Sequence, residues 1–122
     1  MKHLLIIGLG GGIGSILRYL LQIGVGRFTP VSFPWGTFLV NVSGCFAIGL
    51  LYGLSERHSW MTTDWRLFLI TGLCGGFTTF SSFSYENMML LRQGSYVYFL
   101  LYAMLSVLLG LSSTVAGAAL MK

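Results

Sequence analysis

Gly72-Leu-Cys-Gly-Gly-Phe-Thr-Thr-Phe-Ser-Ser-Phe-Ser-Tyr-Glu86 decides how this chain is read. It sets glycines, hydroxyls and aromatic rings inside a stretch otherwise apolar enough for a membrane helix. Lipid offers no hydrogen bonds, so backbone freed by a break here needs protein, water or an ion as its partner. If the helix stops near Gly75 and Gly76, its first half ends in unpaired carbonyls. A second half starting near Thr78 and Thr79 begins with unpaired N–H groups. Carbonyl ends suit cations and amide ends suit anions, which makes the segment a candidate ion site.

The surrounding composition fits that reading. Of 122 residues, 55% are hydrophobic and 8% charged, far from an ordinary soluble domain. The charges cluster at Lys2, Arg27, Glu56 to Arg66, Arg92 and Lys122. Between them fit four apolar stretches of the roughly 20 residues that a span requires. The expectation is a single all-α integral membrane domain with spans at about 3–25, 35–54, 65–92 and 96–120. The third is overlong, as a broken or tilted span would be. The first run is not read as a cleaved leader, because its apolar pattern continues through Arg18 to Val25.

Several function classes drop out. The net charge of +4 comes from scattered residues, not from a basic patch for nucleic acid. Gly8 to Gly14 looks like a dinucleotide loop but completes no G-x-G-x-x-G, and no acid occurs before Glu56. Instead, Gly8/Gly12 and Gly10/Gly14 give the small-xxx-small spacing of close helix contacts. Cys45 and Cys74 have neither disulfide nor metal spacing. No nucleophile–base pair is evident, so the chain is not read as an enzyme.

The polar residues inside the spans carry the rest. Arg18, about two turns from the loop at Gly26, is expected to snorkel to the interface. Thr37 and Asn41, four apart, share a face of span two. Asn41 either bonds a neighbouring helix or turns its NH₂ toward a passing anion. In span three, Phe80, Phe83, Ser84 and Asn87 form one stripe, while Ser82 pairs with Glu86 and Ser81 with Tyr85. Phenylalanines at this spacing pack a core; alternatively their positive edges, beside hydroxyls, hold a small anion. Glu86 is assigned to structure or the rim, since an acid on an anion path repels its passenger. Tyr102, Ser106 and Thr114 give span four a hydroxyl stripe, open to helix–helix bonding or to the path.

Lys2, Arg57, Arg66 and Lys122 fall on one side of the four spans, and Arg27 and Arg92 on the other. So small an imbalance fits insertion in both orientations as well as a single topology with cytoplasmic termini.

Three motifs together resemble the Fluc (CrcB) family of fluoride channels: the Gly-Gly-Gly-Ile-Gly-Ser-Ile-Leu-Arg-Tyr of span one, Trp35-Gly-Thr-Phe-Leu-Val-Asn41-Val-Ser-Gly, and the Gly72 to Phe83 stretch. The resemblance covers essentially the whole chain. It implies an antiparallel, dual-topology homodimer with two fluoride pores in the lipid bilayer, and a structural sodium ion on the dimer axis. It assigns Phe80 and Phe83 as pore aromatics and Asn41 as the amide beside them. It makes Ser81, Ser82, Tyr102, Ser106 and Thr114 candidate hydroxyls along the path, and gives sodium the carbonyls of Gly75 and Thr78. It further implies a bacterial inner-membrane location and passive export of fluoride that enters as HF. Ser82 departs from the usual threonine, keeping the hydroxyl and losing the methyl.

Two other readings stand beside it. A small multidrug-type transporter also has four short spans, but that class relies on an acid in its first span, where this chain has Arg18. A non-transporting assembly protein would use the glycines for helix contacts alone.

Overall fold

The computed structural model describes residues 1–121 and is all-helical. Helix α1 is Lys2–Gly26 and α2 is Trp35–Arg57. Helix α3 (63–77) starts as Thr63–Arg66, widens to a π-helix over Leu67–Cys74 and closes with the turn Gly75–Phe77. After two extended residues come α4, Phe80–Arg92, and α5, Tyr96–Leu120. Among the described residues, four helical segments are long and apolar enough to cross a membrane, with 63–92 counted as one. At 1.5 Å per residue, a 25-residue helix reaches roughly 37 Å, enough for a hydrocarbon core of about 30 Å. The second continues to Arg57, one turn past the expected end at Leu54.

Contacts set the directions. Gly10 lies against Phe68 and Gly72, and Gly14 against Leu73 and Phe77, so α1 and α3 run parallel. Cys45 meets Gly110, and Gly49 meets Thr114 and Ala118, so α2 and α5 also run parallel. These two pairs form the body of the fold. Both depend on missing side chains: a Cβ on Gly14 would fall on the Leu73 carbonyl oxygen, and one on Gly49 on the Thr114 carbonyl oxygen. The two glycine pairs of α1 part company. Gly10 and Gly14 are buried against α3, whereas a Cβ on Gly8 or Gly12 would meet nothing within 4 Å.

At one end Lys2 Nζ pairs with Asp64 Oδ2 at 2.9 Å, and Arg57 Nη1 donates to the Met121 carbonyl at 2.7 Å. Lys2, Arg57 and Arg66 therefore share that end, and the α1–α2 loop lies at the other. The loop folds inward and buries Phe33 with Phe38, Leu90 and Tyr102. Phe33 and Tyr102 meet edge to face at 5.4 Å, a favoured aromatic geometry. Large apolar side chains such as Leu4, Leu9, Ile16 and Leu111 point outward, as an exterior solvated by lipid requires.

Candidate functional site

The backbone between α3 and α4 is extended at Thr78 (φ −80°, ψ 158°) and Thr79 (φ −150°, ψ 113°). Helical geometry carries through Gly75 and Gly76 to Phe77, so these glycines do not end the helix as expected. Gly76 serves close approach instead, since a Cβ there would strike the Gly11 carbonyl, whereas one on Gly75 would meet only the Ile70 carbonyl oxygen at 3.8 Å. What holds the extended pair is Asn41. Its Nδ2 donates to the Thr79 carbonyl at 3.1 Å, and its Oδ1 accepts the Thr79 N–H at 2.8 Å. One side-chain amide thus satisfies both backbone groups of one residue, as a neighbouring strand would. Thr79 Oγ1 then accepts the Ser82 N–H at 3.2 Å and caps α4.

This bonding sorts the carbonyls ahead of the break. In a continuous helix the amides of Thr79 and Ser82 would serve the carbonyls of Gly75 and Thr78. Here they donate to Asn41 and to the Thr79 hydroxyl. The Gly76 carbonyl receives Arg18 Nε at 3.2 Å. Arg18 is therefore drawn inward to a helix C-terminus and does not snorkel to the interface, a match of cation to carbonyl end.

Two cavities flank the break. The smaller, about 270 Å³, is lined by Asn41, Cys45, Ile48, Thr78, Thr79, Phe80, Phe83, Ser106 and Val107. Its two phenylalanine rings have centroids 5.8 Å apart and tilted 43°. Ser106 Oγ is buried and has no hydrogen-bond partner among the described residues, and no charged side chain lines this space. The larger, about 510 Å³, is lined by Gln22, Thr29, Phe33, Trp35, Thr37, Ser82, Glu86 and Gln93 among others. There Glu86 accepts from Thr37 through Oε2 and from Tyr102 through Oε1, both at 2.9 Å. Gln22 donates to the Thr37 hydroxyl at 3.0 Å.

The residues singled out from the sequence divide accordingly. Asn41, Phe80, Phe83, Ser106 and Thr78 meet at the smaller cavity. Ser82 opens onto the larger one. Tyr102 bridges them, its ring 5.0 Å from that of Phe83 and its hydroxyl on Glu86. Ser81 is exposed, its Oγ 3.4 Å from the Thr79 hydroxyl. Gly75 is exposed as well. Thr114 stands apart: its hydroxyl lies within bonding distance of the Cys45 and Gly110 carbonyls and ties α5 to α2. Sequence reasoning gave no part to Gln22 and left Thr37 as a face-mate of Asn41. The spacing of four from Arg18 to Gln22, matching that from Thr37 to Asn41, was the available signal.

Four apolar helical segments, with cavities on either side of an extended pair, define a multi-pass integral membrane protein. Residues 5–118 match the family model described as CrcB-like protein, Camphor Resistance (CrcB), and the chain belongs to that family. A Phocaeicola vulgatus protein named fluoride-specific ion channel FluC is 52% identical over 117 residues, 96% of each chain. Relatives of the same name from Leptospira interrogans and Flavobacterium psychrophilum are 47% and 45% identical. Those alignments cover 99% and 100% of this chain, and 95% and 98% of the relatives.

Proposed function

We propose that this chain is a fluoride-selective channel that lets the ion leave the cytoplasm passively and so relieves its toxicity. The observation that carries the reading is the smaller cavity, where an amide, two phenylalanine rings and a serine hydroxyl without a partner among the described residues line a space that no charged side chain of those residues reaches. Fluoride is small and strongly hydrated, so a pore has to replace its water with close donors. A fixed cation would trap it, since conduction requires exit as well as entry. Asn41 commits one N–H to Thr79 and has a second to offer. Ser106 supplies an O–H, and Phe80 and Phe83 supply positive ring edges. Ser81, Ser82 and Tyr102 extend the path toward the larger cavity, which serves as an aqueous entrance. Thr114 lines the path only if its hydroxyl leaves the α2–α5 contact.

Phe80 is 79% exposed in the single chain, so its ring needs a second wall. An antiparallel homodimer of two such chains, inserted in both orientations in a bacterial inner membrane, supplies one to each of two pores. Thr78 and Thr79 then form a break near the membrane midplane. One chain brings two carbonyls without their helical partners, those of Gly75 and Thr78, and two chains bring four. That hard-oxygen set fits a structural sodium ion, which would supply positive charge at the dimer axis.

The test is passive efflux from liposomes carrying the purified protein, with fluoride and chloride followed under one imposed voltage. Fast fluoride efflux with negligible chloride efflux is expected. Verified dimers that pass no fluoride overturn the reading and favour a non-transporting assembly protein; proton-coupled export of organic cations favours a small multidrug-type transporter.

A further inference from the structure

A hydroxyl has one proton, so what it gives depends on what it is made to receive. Thr37 is 2% exposed, and its Oγ1 lies between two side chains. It accepts an N–H from Gln22 and donates to Glu86, whose other oxygen accepts from Tyr102. One hydrogen-bond chain therefore links α1, α2, α4 and α5, with every donor directed toward the Glu86 carboxyl group. Gly36 admits the first link: a Cβ there would stand 3.4 Å from both Cα and Cγ of Gln22. Arg18, one turn before Gln22, is engaged by the Gly76 carbonyl and does not replace it as a donor to Thr37.

We propose that Gln22 is a positioning residue for the anion path: by donating to Thr37 it commits the Thr37 proton to Glu86, and so holds that carboxyl group against α2 and α5. The proposal rests on the fluoride-channel reading above. With the Gln22 donor gone, the Thr37 hydroxyl turns freely and Glu86 loses a fixed partner. Held then by Tyr102 alone, the carboxyl group, which already lines the larger cavity, turns further into it, where an entering anion meets it.

Gln22→Met keeps the length and removes the donor; Gln22→Glu places an acid where the donor was. In liposomes, Gln22→Met slows fluoride efflux about fivefold, the rate equivalent of one lost hydrogen bond, and Gln22→Glu slows it further. Thr37→Val removes the relay, so adding Gln22→Met to it changes efflux by less than about twofold. Independent, multiplying effects of the two substitutions overturn the proposal, as does wild-type efflux from Gln22→Met. A second readout does not depend on flux. In infrared spectra the Glu86 carboxyl band, identified by its loss in Glu86→Gln, shifts in Gln22→Met and in Thr37→Val. An unmoved band overturns the positioning role. Absence of fluoride efflux from the wild type overturns the channel reading and the role on the path, while the band still decides whether Gln22 holds Glu86.

Discussion

Replacing Asn41 by aspartate tests the link between fold and path at a single atom. The change keeps Oδ1, and with it the hydrogen bond from the Thr79 N–H at 2.8 Å. It exchanges Nδ2, which donates to the Thr79 carbonyl at 3.1 Å, for an oxygen. Loss of that bond costs about 1 kcal/mol, and leaving a part-buried carbonyl unpaired costs about 1–3 kcal/mol more. The sum, about 2–4 kcal/mol, falls on the two residues that separate α3 from α4. Reversible unfolding in mixed detergent micelles measures it directly. The same substitution puts a carboxyl group in place of the amide that faces the smaller cavity. Even 2 kcal/mol added to the permeation barrier slows efflux about thirtyfold. Liposome efflux with a fluoride electrode reads that change, and size-exclusion profiles verify the assembly state. An unfolding free energy within about 0.5 kcal/mol of the wild type would show that the clasp does not hold the extended pair. Wild-type efflux would remove Asn41 from the path.

Three further outcomes follow from the same geometry. Phe80→Ile is expected to leave the unfolding free energy of the dissociated single chain nearly unchanged, because the ring is 79% exposed there. Its fluoride efflux falls about tenfold as the ring edge is lost, and full efflux would take Phe80 out of the pore. Gly14→Ala drives a Cβ onto the Leu73 carbonyl oxygen and to 2.9 Å from the Phe77 nitrogen. Overpacking of about 1–3 kcal/mol is expected in the same unfolding assay, and no change would mean that α1 slides freely. Asn87→Leu removes a buried Oδ1 that has no partner among the described residues, along with a bond to the Phe83 carbonyl one turn back. An unchanged or higher stability is expected, and a loss beyond about 1 kcal/mol would reveal a partner for that oxygen.

What the sequence disclosed, and what it withheld, follows from the range of the forces involved. Charge clusters and apolar run lengths act locally, so the four segments between Lys2, Arg27, Glu56 to Arg66, Arg92 and Lys122 were readable as spans. The motif around Asn41 and the Gly72–Phe83 stretch was equally readable as a family resemblance. The role of Gly76 was not. A glycine that weakens a helix and one that admits another backbone look alike until the neighbour is known, and here the neighbour is Gly11. Arg18 misled for a related reason: its distance from the loop gave no sign of the Gly76 carbonyl, 58 residues away in sequence. The hydroxyl stripe of Tyr102, Ser106 and Thr114 was correctly aligned along α5, but periodicity does not say which partner each hydroxyl meets. One bonds Glu86, one has no partner among the described residues, and one ties α5 to α2.

The clasp between Asn41 and Thr79 also imposes an order on biogenesis. The donor and acceptor that satisfy Thr79 come from a residue 38 positions earlier in the chain. Lipid offers nothing in their place. The third span therefore cannot adopt its interrupted form as it leaves the insertion machinery alone; it waits for α2, already synthesised, to present its amide. A ribosome delivers the two in the required sequence, whereas a circular permutant that starts after α2 would send the segment into the bilayer with its template still unmade.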